Sequence, residues 1–422
     1  MAMRISKKQG VVMTRVSQTG NQTQHGFTLT EVMVATMMTT AIIAAGFGAL
    51  TVSQKTTRIT GQVGSTQATA RNGLDMITAD LKLAGFGMQG LSGAVGGCHI
   101  NGTPYALVPG DNNPLGADLG PDTISMVVPM TNSIAAVGPL WQVFVPVAPG
   151  RIGGLDTAIA NIPMPASATT AMGNAIPGGG AALVGMPVSI GGMAGSRIQS
   201  TNPGGLALNP SIPPPAAFGT GTQVYLLQCI TYQVIPPPDS LNLCQGNAPC
   251  LVRGAVPANL VAPTGPPNCN QAGSGCMAIM DGVEDLQLAY ACDGCDPRVN
   301  GGNPDLQPDD LEPQNNVFDQ NDFVTNRNWF STAGVVGQKM TPATIQRVQV
   351  TIVARQTNAD QGMGEAKSTP VHSIPFPVIS DHNHANGLFA LGDTVGPANQ
   401  AAYFQFRRRI LTRTIELRNQ RF

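Results

Sequence analysis

Along the first 84 residues, apolar and polar positions fall into three successive blocks. Residues 1–26 carry Arg4, Lys7, Lys8 and Arg15 and no acidic residue. From Phe27 the chain turns apolar, and after Glu31 no charge appears until Lys55. The 23 uncharged residues from Val32 to Gln54 are enough to cross a hydrocarbon core of roughly 30 Å as a helix. Beyond Lys55 the apolar positions thin to a stripe, Ile59, Val63, Ala70, Leu74, Ile77, Leu81 and Ala84, spaced three, four or seven apart as one helical face requires. The pattern predicts one helix from Phe27 to Ala84, roughly 87 Å long at 1.5 Å per residue. Gly46, Gly48, Gly61 and Gly64 are places where it could bend.

After Gly85 the period changes. Thr123–Val128, Trp141–Val147, Gln223–Val234, Gly282–Tyr290 and Thr344–Ala354 are rich in β-branched or aromatic residues and bounded by turn formers, so each predicts a strand. Strands that follow a helix in blocks indicate an α+β fold with an antiparallel sheet as the floor for the helix stripe. Between 148 and 221 the charges are Arg151, Asp156 and Arg197, and Ala, Gly and Pro dominate; this composition predicts a loop-rich insertion. The expected organisation is a leader (1–26), a membrane-spanning half-helix (27–54), an amphipathic half-helix (55–84) and a β-rich head (85–422) that carries the insertion.

Composition narrows the function. Net charge is −1 and 11% of residues are charged, which supplies no basic field for sequence-independent nucleic-acid binding. Fifty glycines and 34 prolines predict many turns rather than a helical bundle. All eight cysteines, Cys98, Cys229, Cys244, Cys250, Cys269, Cys276, Cys292 and Cys295, follow the apolar run. An even number confined to the part beyond a membrane span reads as disulfides formed in an oxidising compartment. Cys244–Cys250 and Cys292–Cys295 are the local pairs expected. Zinc is the competing reading, because Cys292-Asp-Gly-Cys295 has ligand spacing.

Other clusters point less far. Asp293, Asp296, Asp305, Asp309 and Asp310 could offer oxygen ligands to calcium, but the spacing of a helix-loop-helix calcium site is absent, and a solvated acidic loop is the expectation. Asp381-His382-Asn383-His384 offers two imidazoles without a third ligand nearby and reads as a surface loop. Arg407, Arg408 and Arg409 fit either a solvated edge strand or salt bridges. No nucleophile elbow, phosphate-binding loop, zinc-protease motif or dinucleotide-binding motif is present, so neither catalysis nor a cofactor is expected.

The order of the N-terminal blocks excludes an ordinary secretory signal, in which the apolar segment precedes the cut. The basic leader instead predicts a cytoplasmic N-terminus with the head outside. Gly26-Phe27-Thr28-Leu29-Thr30-Glu31 resembles the prepilin peptidase site of type IV pilins and type II secretion pseudopilins. That resemblance implies cleavage after Gly26, N-methylation of Phe27 and a part for Glu31 in filament assembly. A carboxylate in an apolar span is costly, about 2.5–3.5 kcal/mol at mid-span. Lys55 lies roughly 36 Å further along the helix, so the N-methylated ammonium of a neighbouring subunit is the expected partner of Glu31.

Three further stretches resemble the PilW-type minor pilins, a family related to pseudopilin J of type II secretion. They are Asp80-Leu81-Lys82-Leu83-Ala84-Gly85-Phe86-Gly87 at the helix end, Val283-Glu284-Asp285-Leu286-Gln287-Leu288-Ala289-Tyr290, and the C-terminal run from Arg407 to Asn419. The resemblance implies a pilin fold and a minor pilin that helps prime a type IV pilus and sits near its tip. Its implied partners are the prepilin peptidase, other minor and major pilins, a tip adhesin and the inner membrane, with the assembled filament at the cell surface. A type II secretion pseudopilin is the alternative. A DNA-uptake receptor would need a basic stripe that this sequence does not show.

Overall fold

The helix begins almost where the apolar run begins. α1 spans Leu29–Leu83, 55 residues without a break, and the four glycines expected as bending points lie inside it. The computed structural model of the chain describes residues 26–92, 95–100, 102–110, 121–130, 143–144, 152–163, 170, 181, 183–202, 205–219, 222–235, 243–244, 248–256, 269, 276–296, 299–311, 318–319, 322–324, 340–356, 378–379, 382–383, 406 and 408–419. The basic leader, Trp141, Asp381, His384 and Arg407 lie outside the described residues.

The chain divides into two units, Met1–Ile59 and Thr60–Phe422. In the first, every described residue from 26 to 58 is exposed, including Phe27, Met37, Ile42 and Phe47. An 18-residue window of α1 has a mean hydropathy of 1.8, and the helix is long and apolar enough to cross a membrane by length and composition. Where water is absent every polar group needs an internal partner. The hydroxyls of Thr36, Thr39, Thr40 and Thr51 find theirs on the carbonyls of Met33, Ala35, Thr36 and Phe47, as serine and threonine do in helices.

In the second unit the predicted stripe meets its floor. Ala70, Leu74, Ile77, Leu81 and Ala84 are buried in one cluster with Ile124, Met126, Ile230, Leu251, Leu288 and Val350. The strands concerned are β1 (Leu107–Gly110), β2 (Thr123–Pro129), β3 (Ile159–Pro163), β4 (Pro187–Ile190), β5 (Ala194–Asn202), β6 (Gly205–Ile212), β7 (Gln223–Ile235), β8 (Cys250–Val256), β9 (Met277–Asp281), β10 (Val283–Cys292), β11 (Ile345–Arg355) and β12 (Arg408–Glu416). All of their pairings are antiparallel, so the α+β class and the long N-terminal helix on antiparallel sheet are present. β10, β11 and β12 form a three-stranded sheet in that order.

The 13-residue strand β7 organises the rest. Its C-terminal part pairs with β2 and β8 beneath the helix, while Val224 to Leu226 pair with β4. From β4 the sheet runs on through β5, β6 and β3. Here the structure departs from the sequence reading. The 148–221 stretch, read from composition as loop-rich, carries these strands and most of a second core, in which Ile162, Leu183, Val188, Ile190, Ile198 and Leu206 pack with Leu226 of β7. The strands are rich in Ala, Gly, Ser and Asn, residues of weak β-propensity. Pairing with a neighbour makes them strands, and local composition carries no trace of that neighbour. The Trp141–Val147 strand is described only as Val143–Phe144, paired with Val224 and Gln223.

Candidate functional site

The residues singled out by the sequence fall in both units. At the start of α1, Thr28 precedes the first helical residue and Glu31 stands three positions on. The Thr28 N–H and the Thr28 hydroxyl each donate to Glu31 Oε2 at 3.0 Å, and the Glu31 N–H donates to Thr28 Oγ1 at 3.3 Å. This is a capping box, which satisfies two N–H groups that a helix start otherwise leaves unpaired. Glu31 thus finds hydrogen-bond donors at its own helix start, whereas the expectation concerned a basic partner, which its helix offers first at Lys55. The Thr-x-x-Glu spacing was legible as a helix-start signal. Around it Phe27 is 87% exposed and Leu29 80%, and among the described residues nothing lies within 4 Å of a Cβ placed on Gly26.

In the second unit, polar groups grip the last turns of α1. Asp80 Oδ2 accepts from the Tyr232 hydroxyl at 2.6 Å and from Arg253 Nε at 2.9 Å. Burial, together with the Asp80 charge, pushes the Tyr232 phenol far above its usual range, so it remains a donor. Arg413 on β12 pairs with Asp75, and Asn419 Nδ2 donates to the Lys82 carbonyl at 3.1 Å. Beyond the helix end the Gly85 N–H donates to Val127 O at 3.0 Å. Phe86 meets Tyr225 edge-on with ring centroids 5.3 Å apart. Gly85 and Gly87 hold φ of 78° and 74°, where L side chains are strained. A Cβ on Gly87 would also collide with Ser189 Oγ, and one on Gly85 would meet the Asn419 carbonyl at 2.6 Å. The helix-end motif is thus a junction of the helix, the C-terminal segment and the second core.

The other two motifs meet each other. Glu284 on β10 is fully buried. It accepts from Arg408 through both carboxylate oxygens, with Nη2 to Oε1 at 2.8 Å, and Arg355 Nη1 lies 3.2 Å from Oε1. The Arg355 guanidinium also stacks 4.2 Å from the Phe406 ring centroid. Of the two readings of the arginine run, Arg408 takes the salt bridge, and Arg409 is exposed. The pairings of these residues carried no local signal, since the Tyr232–Asp80, Arg253–Asp80 and Arg408–Glu284 bonds span 152, 173 and 124 residues.

All eight cysteines are paired, as Cys98–Cys229, Cys244–Cys250, Cys269–Cys276 and Cys292–Cys295. Cys292, Cys295 and Asp309 bring metal-capable atoms together, but the two sulfurs are bonded to each other. The acidic loop is not solvated as expected. Asp293, Asp296 and Asp309 are buried because the first and last serve as loop fasteners. Asp309 accepts from the N–H groups of Gly294, Cys295 and Asp296 at 3.1, 2.7 and 2.8 Å. Asp293 accepts from Asp305 and Leu306 at 3.0 Å each. Burial raises the Asp309 pKa, opposed by those three N–H bonds and assisted by the Asp293 charge. Asp305 is exposed and Asp310 partly so. His382 and Asn383 form a two-residue strand with Val378 and Ile379.

Residues 245–419 match the family model described as PilW, type IV pilus-assembly protein W. The match contains the Glu284 strand and the C-terminal strand and leaves out the helix-end motif and the second core. It also takes in five of the cysteines, from Cys250 to Cys295. No curated protein and no solved structure matches the chain.

Proposed function

From a PilW-type, type IV pilin-related protein with a role in pilus assembly, we propose a more specific function, that of a minor pilin which helps prime the filament and sits near its tip. The observation that carries this reading is the exposed apolar half of α1, residues 29–58, with Glu31 as its one charge before Lys55. An apolar helix of that length that finds no cover among the described residues of its own unit needs lipid first and other helices afterwards. The chain is anchored in the inner membrane with its basic leader in the cytoplasm and its head in the periplasm. The prepilin peptidase cuts after Gly26, Phe27 is N-methylated, and Glu31 accepts the positive N-terminus of a neighbouring pilin. Each charge then lessens the other's desolvation cost.

The second core supports a position near the tip. A subunit within the shaft has neighbours above and below, whereas a terminal one has room for a head widened by β3 to β6 and can hold an adhesin. A pseudopilin of a type II secretion pseudopilus would share the same helix. Two measurements test the proposal. Intact mass of membrane-extracted protein is expected to correspond to residues 27–422 plus one methyl group, and a mature N-terminus elsewhere overturns it. Deletion is expected to abolish surface pili and leave exoprotein secretion normal; the converse phenotype assigns the chain to a pseudopilus.

A further inference from the structure

We propose that Thr28 is a positioning residue for Glu31: it engages one carboxylate oxygen from within the chain and so presents the other to the cation that docks. This inference rests on the reading of Glu31 as the docking charge. Among the described residues, both hydrogen bonds to the Glu31 carboxylate end on Oε2, from the Thr28 N–H and from its hydroxyl, each at 3.0 Å. The reciprocal bond from the Glu31 N–H to Thr28 Oγ1 closes the box. Thr30 Oγ1 lies 3.0 Å from Thr28 Oγ1, so the Thr28 hydroxyl is held by partners on either side.

Two physical consequences follow. A carboxylate in an apolar segment is costly when it has no partner, and a subunit waiting in the membrane has not yet met its neighbour. The box gives Glu31 two donors during that wait. A free glutamate side chain also loses rotamer freedom on docking, whereas one already held by its own N-cap has lost it beforehand, and such preorganisation strengthens binding without a new contact. Oε1 keeps its lone pairs for the ammonium, because the box uses Oε2 alone.

Three variants separate the hydroxyl, the charge and the shape. Thr28→Val keeps the size and removes the hydroxyl. Thr28→Ser keeps the hydroxyl. Glu31→Gln keeps the box, since glutamine serves equally at that position of a capping box, and removes the charge. The readout is recovery of partner pilins with the full-length protein extracted from membranes, normalised to the processed chain as measured by intact mass. Thr28→Val is expected to lower recovery about fivefold, the size of effect that loss of one N-cap hydroxyl has on a helix, and Thr28→Ser to restore it. The double variant Thr28→Val with Glu31→Gln is expected to recover no less than Glu31→Gln alone, because a residue acting through Glu31 has nothing to add once the charge is gone. Wild-type recovery with Thr28→Val, beside a loss with Glu31→Gln, overturns the positioning role and leaves the docking charge in place. Wild-type recovery with Glu31→Gln overturns the docking charge itself. Failure of serine to rescue, or additive losses in the double variant, means that Thr28 acts by another route.

Discussion

Glu284 joins Arg355 and Arg408 in a buried ion network of the C-terminal half of the head. Its carboxylate is fully buried and faces two arginines, Arg408 through both oxygens and Arg355 at 3.2 Å. Replacing such an ion network with apolar residues can be neutral, but removing one partner leaves charges buried without compensation, at a cost of about 3–5 kcal/mol. Glu284→Gln keeps the shape and removes the charge, so it is expected to lower the stability of the detergent-solubilised protein by that amount in urea unfolding. A midpoint within error of wild type would show that solvent reaches the two arginines. The same reasoning distinguishes Arg408 from Arg409. The first is buried against Glu284 and the second is exposed, so their neutral variants should differ widely although they are adjacent in the chain.

Among the elements, the end of α1 is tied to several parts of the head at once, through Val127, Tyr225 and Asn419. Helices commonly stop at a glycine in the left-handed region, and Gly85 satisfies that rule, but Gly87 answers to a second constraint. It has φ of 74° and packs so closely on Ser189 that no side chain fits. Gly87→Ala combines a strained backbone with overpacking, expected to cost at least about 2 kcal/mol. Gly90 also has a positive φ of 75°, but its nearest neighbour would be 3.8 Å from a Cβ, so Gly90→Ala should be the milder change. Thermal unfolding of the two variants side by side decides whether tertiary contact or backbone strain dominates at this junction. Equal losses would leave strain alone as the cause.

At the scale of the whole head, the disulfides differ in what they hold. Cys98–Cys229 closes a separation of 131 residues and ties the segment after the helix to β7, the strand that passes through both cores. Cys292–Cys295 closes a separation of 3. On the chain-entropy account, a cross-link over the longer separation stabilises by about 5 kcal/mol and one over the shorter by about 2 kcal/mol. Replacing both cysteines of the first pair with alanine is therefore expected to destabilise the head by the larger margin, measured by urea unfolding under non-reducing conditions. The opposite order would mean that native packing of the Cys292 loop outweighs loop entropy. That loop is fastened by Asp309 through three backbone N–H groups, independently of its sulfurs.

Features with a period or a fixed spacing were determined by the sequence alone. The apolar run after Gly26, the stripe from Ala70 to Ala84, the boundaries of β2, β7, β10 and β11 to within a residue or two, and the Thr28-x-x-Glu31 box all rest on neighbours a few positions apart. Helix and strand geometry translate such spacing directly into a face or a cap. Only the tertiary structure decided that 148–221 builds most of a second core, that the acidic loop turns Asp293, Asp296 and Asp309 inward, and that Glu284 meets Arg408. In each case the deciding partner lies in another strand or another part of the loop, outside the few positions that helix or strand periodicity relates. Gly, Ala and Ser become strands when a neighbouring strand completes their hydrogen bonds, and an aspartate becomes buried when backbone N–H groups from another turn of the loop surround it. Hydrogen bonding of that kind depends on which segments are brought together, and local composition contains no record of the meeting.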